Sequence, residues 1–355
     1  MTDALEQLRR QAQSGQPSAG HALAQALYAA GKHEEALAAL GQAARGGYLP
    51  AITELGARLA TGAGAPAAWA DGIGLLRFAA EARDATAARM LGILDGAGLN
   101  TPPDWPSSLS WTVRAAELGD AGARHDLQVL GQDGSEDWAA LAARIDLRLC
   151  LAPAAARPLS EQPAILALPA IAPDRWCRDL IASGRDSLAQ AGVTDRATGA
   201  FIHDAARTNR FAQVKLFDLT LPLLILRARM AAAAGQPTAH CEIMNLLSYE
   251  PGQAFDLHHD YLDPDAPGFA AELARDGQRV ATVLVYLNAD YAGGETYFPG
   301  ADVRFRGEAG DGLLFRNVDG RGRVDPATLH AGLPPTRGRK WLLSQWVRDR
   351  PQRQV

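Results

Sequence analysis

The chain has 355 residues, 47% of them hydrophobic and 21% charged, which is the composition of a globular protein long enough for two domains. Its formal net charge of −5 argues against a general polyanion binder, because phosphate binding needs clustered Lys and Arg. The sequence has neither the apolar core of a signal peptide nor the roughly 18 consecutive apolar residues of a membrane helix. We therefore expect a cytoplasmic protein that binds neither nucleic acid nor a membrane.

The first ~150 residues are rich in Ala and Leu and carry an internal repeat. The alanines Ala51, Ala87 and Ala123 share a period of 36 residues. A period in the thirties, with apolar residues at helical spacing, predicts stacked helix–turn–helix units over residues 1–150. One such unit cannot cover its own apolar face, so neighbouring units must stack.

The repeat skeleton A…LG…G…A…AA…G resembles the Sel1-like repeats, relatives of the tetratricopeptide repeat. The resemblance implies an all-α array, and two uses of it stay open. The array either scaffolds the protein or recruits a protein or peptide substrate to a concave surface. We favour recruitment, because a free amino acid substrate would not require so long an array.

The amino-acid composition changes after a predicted linker at residues 151–164, which contains prolines and a run of alanines. Short β-rich runs such as RVATVLVYL and KWLLSQWV follow, separated by Gly, Pro, Asn and Asp. They predict a barrel or double-sheet jelly roll over residues 165–350, with helices around 174–192 and 218–234 packed against it. The expected fold class is therefore α+β. The three cysteines, Cys150, Cys177 and Cys241, cannot all pair and lack zinc-site spacing, which favours a reducing compartment.

The stretch LHHDYLDP begins at Leu257 and carries two adjacent histidines and an aspartate. Residues i and i+2 of a strand share one face, so His258 and Asp260 point the same way and His259 points the other way. A further histidine, His330, begins another predicted strand. Two histidines and one carboxylate form the facial triad of non-haem Fe(II) oxygenases. Zinc hydrolases use the same ligand types, so the triad alone does not name the metal.

Lys340 follows His330 by ten residues, on the next predicted strand. Leu342, Ser344 and Trp346 share its face by strand parity. A buried lysine needs an anionic partner, because an unpaired buried charge is costly. The distal carboxylate of 2-oxoglutarate is such a partner.

Four sequence blocks resemble, in register over about residues 165–348, the prolyl 4-hydroxylase group of Fe(II)/2-oxoglutarate dioxygenases. The blocks are YEPGQAFDLHHD, RVATVLVYLNADYAGGETYFP, GDGLLFRN and LHAGLPPTRGRKWLLSQW. The resemblance implies a double-stranded β-helix that hydroxylates a side chain, prolyl or other, of a protein or peptide. It implies Fe(2+), 2-oxoglutarate and O2 as cofactor and cosubstrates, succinate and CO2 as coproducts, and L-ascorbate as a further ligand to test.

The resemblance also implies roles for nine residues. The iron ligands would be His258, Asp260 and His330. The 2-oxoglutarate contacts would be Lys340, Tyr249 and Thr296. The substrate side would carry Arg279, Trp346 and Phe255. Family members commonly have Tyr at the position of Phe255, three residues before the first ligand histidine, so the hydroxylated residue stays open.

Two other functions stay open at this point. One is a hydroxylase of a free amino acid or a small peptide-like metabolite. The other is a binding protein in which the repeats do the work and the oxygenase domain only senses O2 or 2-oxoglutarate. The presence of all three candidate ligands and of Lys340 favours an enzyme.

Overall fold

A computed structural model describes residues 2–352 of the chain. The chain divides into two compact units, with the boundary between Asp146 and Leu147. The prediction placed this boundary after residue 150, but the short helix α10 (Leu147–Cys150) belongs to the second unit. No helix within the described residues is long and apolar enough to cross a membrane.

Helices form nearly all of the first unit. They are α1 (Thr2–Gln13), α2 (Pro17–Ala29), α3 (His33–Arg45), α4 (Leu49–Thr61), α5 (Trp69–Glu81), α6 (Ala85–Ala97), α7 (Trp105–Glu117), α8 (Ala121–Gly131) and α9 (Trp138–Arg144). The repeated alanines Ala51, Ala87 and Ala123 are all buried, as a stacked array requires. Gly72 of α5 lies so close to α4 that a Cβ atom there would come within 2.4 Å of the Ala60 nitrogen. The predicted all-α array is confirmed.

The second unit is built mainly of antiparallel strands. They are β1 (Arg157–Ser160), β2 (Ile165–Leu168), β3 (Ala189–Gln190), β4 (Val193–Thr194), β5 (Phe201–Ile202), β6 (Arg210–Val214), β7 (Met244–Tyr249), β8 (Phe255–His258), β9 (Arg279–Tyr286), β10 (Ala292–Gly293), β11 (Thr296–Phe298), β12 (Val303–Phe305), β13 (Gly312–Arg316), β14 (His330–Gly332), β15 (Pro335–Arg337) and β16 (Lys340–Arg348). Its longer helices are α11 (Asp174–Gly184), α12 (Leu221–Ala233) and α13 (Ala270–Asp276).

Two sheets enclose the core of the second unit. One has eight strands in the order β1-β2-β13-β9-β16-β7-β6-β3, and the other has four in the order β12-β11-β14-β8. Buried side chains from both sheets meet in one cluster, which includes Tyr286 of β9, Leu342 of β16 and Phe298 of β11. This arrangement, together with the helical first unit, gives the expected α+β fold with a double-sheet second domain.

Two local predictions differ from the structure. The segment 151–164, predicted as a linker, contains strand β1, which pairs with β2. Pro158 suggested a loop, but a proline is tolerated on an edge strand, and β1 lies at the edge of its sheet. The helix predicted over 174–192 ends at Gly184, where an added Cβ atom would come within 2.3 Å of Cδ2 of Leu246 in β7, and the chain then goes on to form β3.

Candidate active site

The pairing of β8 with β14 places His258 directly opposite His330. Their ring centroids lie 4.3 Å apart, and Asp260 follows just after the end of β8. The Nε2 atoms of His258 and His330 lie 3.6 and 3.7 Å from the Asp260 carboxylate oxygens. The three candidate ligand atoms all lie within 4.8 Å of one another. The structure thus brings together the three residues that strand parity and the resemblance selected.

Backbone carbonyls fix the orientation of both imidazoles. The Nδ1 atom of His258 lies 2.7 Å from the Asp256 carbonyl oxygen, and that of His330 lies 2.9 Å from the Thr328 carbonyl oxygen. A carbonyl oxygen can only accept, so each Nδ1–H donates and each Nε2 keeps a lone pair for a metal. These contacts therefore give both histidines the tautomer that a metal ligand needs, with the proton on Nδ1.

The aspartate is held by a buried chain of hydrogen bonds. The Thr282 hydroxyl donates to Oδ2 of Asp260 at 2.8 Å and accepts from Nδ2 of Asn317 at 3.0 Å. Burial works to raise the pKa of Asp260, but His330, His258 and the Thr282 hydroxyl together hold it below its ordinary value. The carboxylate therefore stays ionised, as a metal ligand must.

Burial keeps the two histidines neutral. It lowers the pKa of His258 to about 3, helped by the neighbouring His330, and it lowers the pKa of His330 as well. Two neutral nitrogen donors and one ionised carboxylate fit a divalent ion of the two-histidine, one-carboxylate type. The residues present therefore fit Fe(2+).

Lys340 lines a small pocket that also reaches the three candidate ligands. Its side chain is fully buried, and among the described residues its Nζ makes a hydrogen bond to the Gly294 carbonyl oxygen at 2.7 Å but no salt bridge. Burial lowers the pKa of Lys340 to about 7. A buried ammonium without a carboxylate partner fits an anionic ligand.

Tyr249 and Thr296 line the same pocket. The Lys340 Nζ lies 5.1 Å from the centroid of the Tyr249 ring, and burial raises the pKa of Tyr249 to about 12, so its hydroxyl stays protonated. The Thr296 hydroxyl lies 2.7 Å from that of Tyr286. The structure therefore gathers a cation and two hydroxyl groups around the space where 2-oxoglutarate was expected.

A wide cleft of about 1150 Å³ is lined by two of the three candidate ligands, His258 and Asp260. Arg279 and Trp346 line it, with the Arg279 guanidinium 3.7 Å from the centroid of the Trp346 ring. Glu242 holds Arg279 in place through hydrogen bonds of 2.7 and 3.1 Å. Phe255 also lines the cleft and stacks on His258, with ring centroids 3.5 Å apart. His259 is not part of the candidate metal group, and its Nε2–H donates to the Pro326 carbonyl oxygen at 3.0 Å.

Sequence reasoning missed several residues of this site. Arg207 reaches the cleft and lies 4.5 Å from the centroid of the Phe255 ring, and its Arg-Thr-Asn segment has no distinctive pattern in the sequence. Glu242 gave no local pattern, because its role depends on distant arginines. Thr282 did leave a signal, since a polar residue inside the apolar run VATVLVYL must find a buried partner.

Known proteins resemble the part of the chain that carries this site. Residues 244–348 match the family model described as the 2OG-Fe(II) oxygenase superfamily. Prolyl 4-hydroxylase 1 of Arabidopsis thaliana is 32% identical over 206 residues, which is 54% of this chain and 71% of that protein. A putative prolyl 4-hydroxylase of Acanthamoeba polyphaga mimivirus is 36% identical over 115 residues, which is 32% of this chain and 48% of that protein.

Two solved structures resemble different parts of the chain. A viral collagen prolyl hydroxylase from Paramecium Bursaria Chlorella virus-1 is 22% identical, with a TM-score of 0.41, and the match covers 52% of this chain and 94% of that one. A Sel1 repeat protein from Oxalobacter formigenes is 27% identical, with a TM-score of 0.32, and the match covers 39% of this chain and 44% of that one.

Proposed function

The chain belongs to the prolyl 4-hydroxylase group of the 2OG-Fe(II) oxygenases and is a 2-oxoglutarate-dependent dioxygenase, and we propose that it hydroxylates a side chain of a protein or peptide. The hydroxylated side chain belongs to a proline or to another residue type, and succinate and CO2 are the coproducts of the reaction. Bound iron and 2-oxoglutarate supply the oxidising power that inserts one oxygen atom of O2 into an unactivated C–H bond.

In this proposal His258, Asp260 and His330 would hold the iron. Their buried, neutral imidazoles and ionised carboxylate support the assignment. Thr282 and the backbone carbonyls fix the orientation of these three side chains.

Lys340 would pair with the distal carboxylate of 2-oxoglutarate, and Tyr249 and Thr296 would add hydroxyl contacts. The buried ammonium of Lys340 and the protonated hydroxyl of Tyr249 can both donate to a carboxylate. All three residues line the small pocket that also reaches the three candidate ligands.

Arg279, Trp346 and Phe255 would contact the substrate from the wide cleft. Arg279 is fixed by Glu242 and its guanidinium lies over the Trp346 ring, so it presents a rigid polar group. Phe255 offers an aromatic face without a hydroxyl, so any hydrogen bond to the substrate must come from a neighbour such as Arg207.

The open cleft is the observation that favours a protein or peptide over a free amino acid. Its volume of about 1150 Å³ exceeds the roughly 300–1,000 Å³ typical of pockets that enclose small molecules. A hydroxylase of a free amino acid or metabolite would need a smaller, closed site. We further propose that the helical array recruits the substrate.

Two smaller proposals concern the surroundings of the enzyme. Among the described residues, the three cysteines Cys150, Cys177 and Cys241 form no disulfide, which suits the reducing cytoplasm. L-ascorbate is proposed to keep the iron reduced during turnover, and omitting it from an assay tests this directly.

Mass spectrometry of a cell extract tests the proposed function. The full-length enzyme is incubated with extract, Fe(2+), 2-oxoglutarate and O2, and proteins are searched for the gain of one oxygen atom. We expect such a gain in few proteins, and none without 2-oxoglutarate or with the Asp260→Ala variant. Hydroxylation confined to free amino acids or metabolites would contradict the proposal.

A further inference from the structure

The mouth of the cleft carries exposed apolar side chains. Phe201, Ile202 and Leu257 all line it, with exposed fractions of 58%, 39% and 54%. They make up three of the five large hydrophobic residues that are exposed among those the structure describes. Such side chains cluster on a soluble surface mainly where a partner covers them.

Aspartates lie among these apolar side chains. Eight carboxylates but only four guanidinium groups line the cleft, so it is acidic overall. Asp263 is paired with Arg196, whereas Asp195, Asp204 and Asp256 make no salt bridge within the described part of the chain. We call the six residues of this surface the cleft rim: Asp195, Phe201, Ile202, Asp204, Asp256 and Leu257.

The cleft rim is fixed to the strand that carries the metal ligand. The Asp256 N–H donates to the Ala206 carbonyl oxygen at 2.8 Å, which ties β8 to the segment after β5. The Gly268 N–H donates to the Arg196 carbonyl oxygen at 2.9 Å, which ties the hairpin of β4 and β5 to the segment just before α13. A surface fixed before binding loses less entropy when a ligand binds.

We propose that the cleft rim binds a cationic, apolar stretch of polypeptide, in which lysines or arginines flank aliphatic residues next to the hydroxylated side chain. The inference rests on the proposed function and narrows its substrate class. The apolar side chains need an apolar partner, and the three unpaired carboxylates make it a positively charged one. A free amino acid would leave most of the cleft rim uncovered.

Fluorescence anisotropy tests the proposal with two labelled peptides. They share a central proline flanked by leucines and differ only in carrying lysines or glutamates on both sides. The full-length protein is loaded with Fe(2+) and 2-oxoglutarate without O2, so that binding is measured without turnover. We expect the lysine peptide to bind at least about tenfold more tightly, and added salt to weaken its binding.

Variants locate the binding on the cleft rim. Asp204→Asn combined with Asp256→Asn is expected to weaken binding of the lysine peptide about fivefold, because two exposed ion pairs are lost. The matched control, Asp302→Asn with Glu308→Gln, removes two exposed carboxylates of the same unit that lie outside the cleft. It is expected to leave binding unchanged.

Several outcomes would overturn the proposal. They are equal binding of the two peptides, no binding of either, or equal losses in the rim variant and its control. A change in the oligomeric state of Leu257→Ser, seen by light scattering, would assign the cleft rim to a second copy of the chain instead. Binding of the lysine peptide without succinate release from any peptide would support the cleft rim but contradict the proposed function.

Discussion

The aromatic ring of Phe255 stacks on the imidazole of His258, with ring centroids 3.5 Å apart and an interplanar angle of 14°. Phe255 covers one face of a proposed iron ligand, and the Nδ1–H of His258 is already held by a carbonyl oxygen. The histidine therefore has little freedom to rotate. One side chain thus joins the wall of the substrate cleft to the metal site.

Replacing Phe255 with Ala is expected to weaken Fe(2+) binding about fivefold, because an aromatic stack contributes about 0.5–1.5 kcal/mol beyond the area it buries. Anaerobic titration with Fe(2+) measures the change. Phe255→Tyr keeps the ring and is the control, so it should bind iron as the native protein does. Equal iron affinity in Phe255→Ala would show that the stack does not position His258.

Replacing Thr282 with Val removes the hydroxyl that donates to Asp260. Loss of a hydrogen bond to a metal ligand typically costs about 10–100-fold in metal affinity or activity, and we expect a loss in this range. Thr282→Ser retains the hydroxyl and is expected to recover most of the affinity. If Val and Ser variants bound Fe(2+) equally well, the hydroxyl would have no role at the metal site.

Replacing Lys340 with Met is expected to raise the KM for 2-oxoglutarate by about two orders of magnitude, because a buried ion pair loses its cation. The affinity for Fe(2+) should change little, since Lys340 is not one of the three candidate metal ligands. Arg337→Met removes an exposed cation of the neighbouring strand β15 and serves as the control. A KM that stayed at the native value would remove Lys340 from the cosubstrate site.

Binding of 2-oxoglutarate is expected to take up a proton above neutral pH. Burial lowers the pKa of Lys340 to about 7, so at about pH 8 the side chain is mostly neutral before binding. The dianion favours the charged form, so the bound state holds more protons and affinity falls as the pH rises above about 7. Calorimetry in buffers of different ionisation enthalpy measures the uptake, which should vanish in Lys340→Met. Proton release on binding would contradict the assigned pKa shift.

Gly72 is expected to tolerate no side chain. In Gly72→Ala the new Cβ would lie 2.6 Å from the Gly56 carbonyl oxygen, so the helices must move apart at a cost of about 1–3 kcal/mol. Gly74 lies in the same helix with nothing within 4 Å of its Cβ position, so Gly74→Ala should stabilise by about 0.5–1 kcal/mol. Denaturant unfolding compares the two variants, and equal effects would show that the close approach is unimportant.

Local pattern was enough to predict the main elements and two of the three residues of the metal site. Strand parity selected His258 and Asp260, and the period of the alanines predicted the helical array. That His330 lies opposite His258 depends on the register of β14 against β8, which no local spacing determines. The role of Glu242 could not be predicted for the same reason, because its partners Arg279 and Arg348 lie far along the chain. The prediction of a linker around Pro158 was wrong because a proline is tolerated in an edge strand, and the sequence does not show that β1 lies at an edge.

Anaerobic absorption spectroscopy tests the central claim most directly, namely that these residues hold iron and 2-oxoglutarate together. Adding Fe(2+) and then 2-oxoglutarate to the full-length protein should produce a metal-to-ligand charge-transfer band in the visible range. The band should be lost in Asp260→Ala and should need far more 2-oxoglutarate in Lys340→Met. Absence of the band in the native protein, or an undiminished band in Asp260→Ala, would contradict the assignment.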